Sequence, residues 1–305
     1  GRNFYNNFNY NFIKILLIYF SSTIFVIFLY SLTDLRLLDS VNLAFTSISS
    51  GGFIPEGNLS NILINNLQIF VFSTTLLFPI LNFFLLHDII TGKFLIKNHH
   101  EDLHLSLLII LLTLFFYFFV IPEVGFVTVF FAITSSISTS GVTTYTSNLD
   151  LSLFFILLTI VGGSLISTSS GFKYTRIYIL FKISYQEIYH LVKPINIIDK
   201  NLYNSEVKID DQDLKIAFLV FLSLIISIFI LSSILTFDYL TFENSFKLSI
   251  LTLTNTVSSA LHGMDNLSFV DLNNFTKMSL ILFMILGKIE IIAVIYLIRR
   301  FIFRE

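Results

Sequence analysis

The chain has 305 residues, of which 55% are hydrophobic and 12% are charged, and its formal net charge is -2. A typical soluble domain has about 25% charged residues, so the composition excludes an ordinary soluble fold and predicts an all-α integral membrane protein. The absence of cysteine excludes disulfides and thiolate metal sites, and without a basic block that contains aromatic residues we expect no nucleic-acid partner.

Six apolar stretches are long enough to cross the hydrocarbon core of a membrane, which takes about 20 helical residues. They cover residues 12–33, 64–91, 105–122, 151–181, 214–236 and 273–298. If the chain crosses the membrane at these stretches, most Lys and Arg residues fall on the same side as the N-terminus. The positive-inside tendency makes this the cytoplasmic side. The sequence therefore predicts a multi-pass membrane protein in contact with lipid.

A polar segment rich in Ser, Thr and Gly separates the two spans of each pair. Residues 46–53 and 135–142 match without a gap, and we place 255–262 in the same register. Apolar stretches long enough for half-span helices precede them at 38–45, 125–134 and 242–254. A unit of membrane helix, pore helix, filter loop and membrane helix is thus used three times.

The repeated unit divides the chain into four parts. These are a first pore repeat at 1–98, a second at 99–182, a linker on the cytoplasmic side at 183–213 and a third pore repeat at 214–305. The linker mixes both charge signs, and two interpretations stay open: a solvated connection or a docking surface for a cytosolic partner.

Non-helical backbone at membrane depth is tolerated where it lines protein or a water-filled path. Rings of backbone carbonyls can replace the hydration shell of a cation. The loops carry no carboxylate, which favours a monovalent cation. The predicted ion-binding residues are Ser49, Ser50, Gly51, Gly52, Ser138, Thr139, Ser140, Gly141, Ser258, Ser259, Ala260, Leu261 and Gly263.

These motifs resemble the TrkH/KtrB superfamily of potassium transporters, which includes the plant HKT proteins. Ser50-Gly51-Gly52-Phe53 is similar to the Thr-Gly-Gly-Phe filter of the family's second repeat, and Thr139-Ser140-Gly141 to the Thr-Thr-Gly filter of its third. The family arranges four repeats around one pseudo-fourfold pore. The resemblance covers the second to fourth, so we expect the first repeat upstream or on a separate chain.

The resemblance also implies a gate below the filter. In the family an interrupted helix forms an intramembrane loop, and a basic residue of the last span acts as an electrostatic barrier. Gly287-Lys288-Ile289-Glu290 resembles the family's Gly-Arg-Leu-Glu motif. The residues expected to form the gate are Gly162, Gly163, Ser167, Thr168, Ser169, Ser170, Gly171 and Lys288.

One filter position departs from the family pattern. In the chosen register Leu261 stands where the family has a filter glycine, so either the loop shifts and Gly263 serves or this quarter is degenerate. The expected function is potassium uptake through a central pore. The alternatives are a sodium-permeable transporter and a non-conducting membrane subunit that assembles with a partner.

The resemblance further implies a homodimer in the bacterial plasma membrane, seated on a cytosolic, RCK-type nucleotide-binding subunit of the TrkA/KtrA kind. No nucleotide motif occurs in this chain, so we expect no cofactor, with K⁺ as permeant ion and Na⁺ possible. An enzyme is disfavoured because the spans hold no convergent acid–base set. The acidic and histidine residues at 99–104 are interpreted as a solvated charge cluster in a cytoplasmic turn.

Overall fold

The computed structural model describes residues 2–55, 59–92, 99–144, 150–192, 201–204, 209–238, 240–264 and 269–289. Regular structure within these ranges is helical, apart from isolated β-bridges, of which one joins Val161 and Phe172 in parallel. The prediction of an all-α chain is confirmed.

The described α-helices are numbered in chain order. They are α1 (Arg2–Ser31), α2 (Leu37–Ser49), α3 (Asn66–Thr75), α4 (Phe83–Ile90), α5 (His100–Phe115), α6 (Phe126–Ile137), α7 (Ser152–Ile160), α8 (Tyr174–Val192), α9 (Asp211–Thr236), α10 (Phe242–Leu253) and α11 (Asn274–Ile289). Helix α5 continues as a π-helical turn over Phe116–Val120.

Among the described residues, three helical segments are long and apolar enough to cross a membrane. Phe12–Ser31, His100–Val120 and Asp211–Thr236 contain 20, 21 and 26 residues, and at 1.5 Å per residue each reaches about 30 Å, the thickness of the hydrocarbon core. They coincide with the first, third and fifth predicted spans, with which the three predicted repeats begin.

The second and fourth predicted spans are interrupted. In the fourth, residues 161–173 separate α7 from α8, as the Gly and Ser residues there indicated. The second was predicted as one continuous span, and this was wrong: residues 76–82 separate α3 from α4. Pro79 lies in this break, where it cannot donate a helical hydrogen bond, and Asn82 starts α4 by accepting from Phe84 N at 2.9 Å.

The sixth predicted span, 273–298, is described as far as Ile289, the last residue of α11. Its remainder, including Glu290, lies outside the described residues. In the predicted linker 183–213, α8 continues to Val192. Tyr203 of the linker is 4% exposed and stacks on Tyr178 of α8, with 4.3 Å between ring centroids; this burial raises the pKa of the Tyr203 hydroxyl.

Each of the short helices α2, α6 and α10 lies at the centre of its own apolar cluster. Helix α2 packs with α1 and α3, α6 with α5 and α7, and α10 with α9 and α11. Phe131 of α6 also enters the first cluster, where its ring lies 5.6 Å from Phe72 of α3. This repeated packing fixes where the C-terminal ends of the three short helices point.

Candidate cation pathway

The three short helices end in the same backbone conformation. The first residue with positive φ after each helix is Ser50 (φ 52), Thr139 (φ 60) and Asn255 (φ 52). A helix commonly ends on a left-handed residue, usually glycine, because a Cβ makes this region costly. Here short polar residues take the position in all three loops, so this residue marks equivalent positions.

The backbone hydrogen bond that follows the left-handed residue is also the same in the three loops. The amide that follows the left-handed residue donates to the carbonyl five residues back, and the distances are 3.1, 3.1 and 2.8 Å. These pairs are Gly51 with Thr46, Ser140 with Ser135, and Thr256 with Leu251. The three loops therefore start with one geometry and can be aligned from it.

This alignment corrects the register predicted for the third loop. Two residues after Ser50 and Thr139 come Gly52 (φ 68) and Gly141 (φ 72), both with left-handed backbone. Two residues after Asn255 comes Val257, so Val257 and not Leu261 is equivalent to the two glycines. The predicted register was four residues too late, because it matched Ser258-Ser259 to the serines of the other loops.

The three equivalent residues lie against one another. A Cβ added to Gly52 would lie 2.1 Å from Ser140 O and 2.5 Å from Val257 Cγ2. A Cβ added to Gly141 would lie 2.2 Å from Val257 O. Neither position accommodates a side chain unless neighbouring atoms shift, since real Cβ atoms do not approach other atoms so closely. The predicted filter residues at 50–52 and 139–141 are thus brought together.

Hydroxyl groups of the helices hold the first two loops in place. Thr46 Oγ1 donates to Phe53 O, and Ser135 Oγ donates to Val142 O at 2.5 Å. The equivalent helical residue for the third loop is Leu251, which carries no hydroxyl. That loop is held differently: Asn255 Nδ2 donates to Met284 O of α11 at 2.9 Å.

The remaining predicted ion ligands of the third loop come after Val257 in the sequence. Ala260–His262 form a short 3-10 turn, and Leu261 is 3% exposed in the apolar cluster around α6 and α7. Gly263 has φ 64, and a Cβ there would lie 3.3 Å from Ser152 Cβ of α7. The structure therefore does not have the shifted third loop in which Gly263 would serve as a filter residue. Asn255, Thr256 and Val257 take the positions equivalent to 50–52 and 139–141, and the sequence had not predicted them as ion ligands.

The second loop is enclosed and the other two are partly open. Ser138, Thr139 and Ser140 are fully buried, whereas Phe53 after the first loop is 78% exposed. A largely apolar cavity of about 470 Å³ separates the first loop from α10 and α11, and Val257 is among the residues that line it. The first and third loops thus border this cavity.

The interruption at 161–173 lies directly against the first two loops. Thr168 Oγ1 donates to Ile48 O at 2.8 Å, and Thr168 O lies 3.2 Å from Ser50 Oγ. Ser170 N donates to Thr139 Oγ1 at 3.2 Å. We call residues 161–173 the intramembrane loop. The predicted gate residues are brought next to the predicted filter residues.

Two lysines bind carbonyls of the intramembrane loop. Lys288 Nζ of α11 donates to Thr168 O at 2.7 Å, and Lys173 Nζ donates to Ser169 O at 2.8 Å. Lys173 is 8% exposed. The resemblance implied that Lys288 is an electrostatic barrier below the filter, and the structure adds that it contacts the loop. The predicted gate glycines lie in the loop as well, at Gly162, Gly163 and Gly171.

Comparison with known proteins shows the family of this chain. The sequence model described as "TrkH: Cation transport protein" matches residues 147–303, about half of the chain. The chain belongs to the TrkH family. This family consists of membrane transport proteins and not of enzymes, which confirms both the resemblance and the exclusion of an enzyme.

Two relatives of this TrkH-family chain are transporters by name. The Trk system potassium uptake protein TrkG of Escherichia coli K12 is 28% identical over 294 residues, which are 90% of this chain and 58% of TrkG. An uncharacterized cation transporter of Methanocaldococcus jannaschii is 27% identical over 227 residues, 73% of this chain and 45% of that protein.

A solved structure has the same fold. The crystal structure of the potassium transporter TrkH from Vibrio parahaemolyticus superposes with a TM-score of 0.82 at 22% sequence identity, over 92% of this chain and 62% of that one. The TrkH-family chain described here spans 45% to 62% of the length of these relatives.

Proposed function

We propose that this chain forms part of a pathway for monovalent cation uptake, with K⁺ as the expected substrate. The observation that carries the proposal is the meeting of Gly52, Gly141 and Val257, where three loops of equivalent geometry enclose one point. Carbonyl oxygens in such an arrangement can replace water around an alkali cation. The names of the relatives, a potassium uptake protein and a cation transporter, support the same substrate class.

Ion ligands in this proposal come from the backbone around the meeting point. The first two sets are those predicted, Ser49 to Gly52 and Ser138 to Gly141. The third set moves to 255–257, and the predicted Ser258 to Leu261 become supporting residues. A further unit of the same kind would close the fourth side, at the cavity between the first loop and α11.

Selectivity for K⁺ over Na⁺ is expected to be lower than in a filter of four equivalent loops. Val257 does not have the positive φ of Gly52 and Gly141, so its carbonyl is set by a different backbone conformation. The third loop also lacks the hydroxyl bond that the other two receive. A sodium-permeable pathway is the first alternative for this reason.

The intramembrane loop and Lys288 are proposed as the gate. The loop lies against Ser50 and Thr139, and the Lys288 ammonium adds a positive charge where cations would leave the filter. A charge at membrane depth is costly and usually has a function. Binding of Lys288 to Thr168 O couples this charge to the position of the loop.

The surroundings of the pathway are proposed as the resemblance implies. The protein would lie in the bacterial plasma membrane with the N-terminus of this chain in the cytoplasm. It would form a homodimer and bind a cytosolic, RCK-type nucleotide-binding subunit. The second candidate class, a non-conducting membrane subunit, is favoured by the same two departures of the third loop, Val257 and Leu251.

Flux through purified protein tests the proposal. The transport unit that contains this chain would be reconstituted in proteoliposomes and followed by rubidium uptake against a cation gradient, with protein-free vesicles as control. We expect saturable uptake that excess K⁺ reduces. Correctly folded protein that gives no uptake of Rb⁺ or Na⁺ would support the non-conducting subunit and exclude a transport pathway.

A further inference from the structure

Two interrupted helices are joined at their breaks. Ser164 N and Ser169 N of the intramembrane loop donate to Ile80 O and Pro79 O, at 2.8 and 3.0 Å. A third bond runs in the opposite direction, from the first amide of α4 to Ile166 O at 3.0 Å. Breaks within membrane helices leave backbone groups without helical partners, and such groups must be satisfied by protein. The two breaks satisfy each other.

Two consecutive acidic residues at the start of α5 hold both breaks. Asp102 Oδ1 accepts from Asn82 N at 2.8 Å, at the end of the α3–α4 break. Glu101 Oε1 accepts from Leu165 N of the intramembrane loop at 3.0 Å, and also from the hydroxyl of Thr175 in the first turn of α8. One dipeptide therefore contacts both sides of the joined region.

The charged surroundings of this dipeptide are histidines and a third carboxylate. His99 Nδ1 lies 3.6 Å from Asp102 Oδ2, and His99 Nε2 lies 3.2 Å from Asp88 Oδ2. His87 Nδ1 lies 3.0 Å from the other oxygen of Asp88. Asp102 is 3% exposed and His99 is 6% exposed. The interpretation of residues 99–104 as a solvated cluster is wrong for His99 and Asp102.

A carboxylate is well suited to this position. A hydrogen bond from an amide to an ionised acceptor is roughly twice as strong as a bond between neutral groups. Leu165 N has the Glu101 carboxylate as its acceptor in this structure, and the neighbouring loop amides bond to the α3–α4 break. Removal of the carboxylate frees one amide of the loop and one hydroxyl of α8.

We propose that Glu101 and Asp102 are positioning residues that hold the intramembrane loop against the filter loops. Glu101 accepts hydrogen bonds from Leu165 of the loop and from Thr175 of α8. Asp102 accepts a hydrogen bond from the α3–α4 break, to which the loop is bonded. The inference rests on the proposed function, since it concerns the gate of that pathway. Neither residue touches the cation.

Accessibility of the loop can be measured without any flux. These 305 residues contain no cysteine, so an introduced cysteine is the one thiol among them, and the protein without the introduced cysteine measures the background. Ser170 of the loop is 4% exposed and its hydroxyl has no hydrogen-bond partner among the described residues, which makes Ser170→Cys a mild change. Ser245 of α10 has the same properties, with 0% exposure, and Ser245→Cys is the matched reporter away from the loop.

The experiment measures the rate at which a water-soluble maleimide modifies each reporter in membranes. With Glu101→Ala we expect the cysteine at position 170 to react about tenfold faster, the scale of one lost charge-assisted hydrogen bond. The cysteine at position 245 should be unaffected. Glu123→Ala, an exposed acid beyond the other end of α5, is the control substitution and should change neither rate.

Further variants separate positioning from general destabilisation. Thr175→Val should give a smaller increase at position 170, and adding it to Glu101→Ala should give little more. If Glu101→Ala does not fold, the isosteric Glu101→Gln carries the test, with the same direction and a smaller effect. An unchanged rate at position 170, or equal increases at positions 170 and 245, would overturn the proposal.

Uptake is measured on the same variants to keep the two proposals distinct. Faster modification at position 170 together with altered rubidium uptake supports both. Faster modification in a protein that gives no uptake even without the substitution supports the positioning role and contradicts the cation pathway.

Discussion

Gly141 and Gly92 form a matched pair for testing whether the loops meet as described. Both have positive φ, +72° and +67°, so alanine at either position carries the same left-handed penalty of about 1–2 kcal/mol. Their surroundings differ. A Cβ at position 141 would lie 2.2 Å from Val257 O, whereas a Cβ at position 92 has no atom of the described residues within 4 Å.

Gly141→Ala must therefore move the third loop by roughly 1 Å to reach ordinary contact, which begins at 3.4 Å. Overpacking of this kind costs about 1–3 kcal/mol. If the whole cost falls on the cation site, cation affinity drops by about five- to 150-fold, since 1.4 kcal/mol is a factor of ten.

The assay is the initial rate of rubidium uptake as a function of concentration, normalised to the amount of monodisperse protein. We expect Gly141→Ala to raise the half-saturating concentration or abolish uptake, and Gly92→Ala to retain uptake with slightly lower thermal stability. Uptake that is unchanged in Gly141→Ala would refute the close meeting of the loops, and equal losses in both variants would assign the effect to backbone strain alone.

Three further substitutions test single contacts. Lys288→Met removes a charge and the donor to the intramembrane loop, so rubidium influx should rise severalfold; unchanged influx would contradict its gating role. Ser135→Ala removes the buried hydrogen bond to Val142 O, worth about 1 kcal/mol. It should lower the melting temperature by a few degrees more than Ser136→Ala, whose hydroxyl bonds within its own helix. Equal shifts would contradict the role of the Ser135 hydroxyl in holding the second loop. Tyr203→Ala should speed tryptic cleavage of the linker, and an unchanged rate would show that the stacked ring does not anchor it.

The three-part layout was predictable because span length and loop polarity are encoded locally. The predicted half-span helices at 38–45, 125–134 and 242–254 lie close to α2, α6 and α10. The register of the third loop was predicted from its composition, and this failed. Helix α2 extends to Ser49, four residues beyond its predicted end, whereas α10 ends at Leu253, next to its predicted end, so alignment from the predicted helix ends gave the wrong register.

Other features depend on contacts between distant parts of the chain. Pro79 signalled a break in the second span, but an apolar stretch of this length also suits one continuous helix. The buried state of Asp102 could not be predicted, since it is created by the α3–α4 break and not by its neighbours in sequence. The same holds for Lys288, whose partner Thr168 lies 120 residues earlier in the chain.

The relative permeability to rubidium and sodium, measured in matched variants of the third loop, tests the account most directly. Val257→Gly gives the third loop the residue that the other two have where the loops meet, whereas Leu261→Gly changes a side chain packed in an apolar cluster. We predict that Val257→Gly raises the rubidium-to-sodium ratio and that Leu261→Gly leaves this ratio unchanged while lowering stability. A ratio that responds to Leu261→Gly and not to Val257→Gly would contradict the proposed cation site.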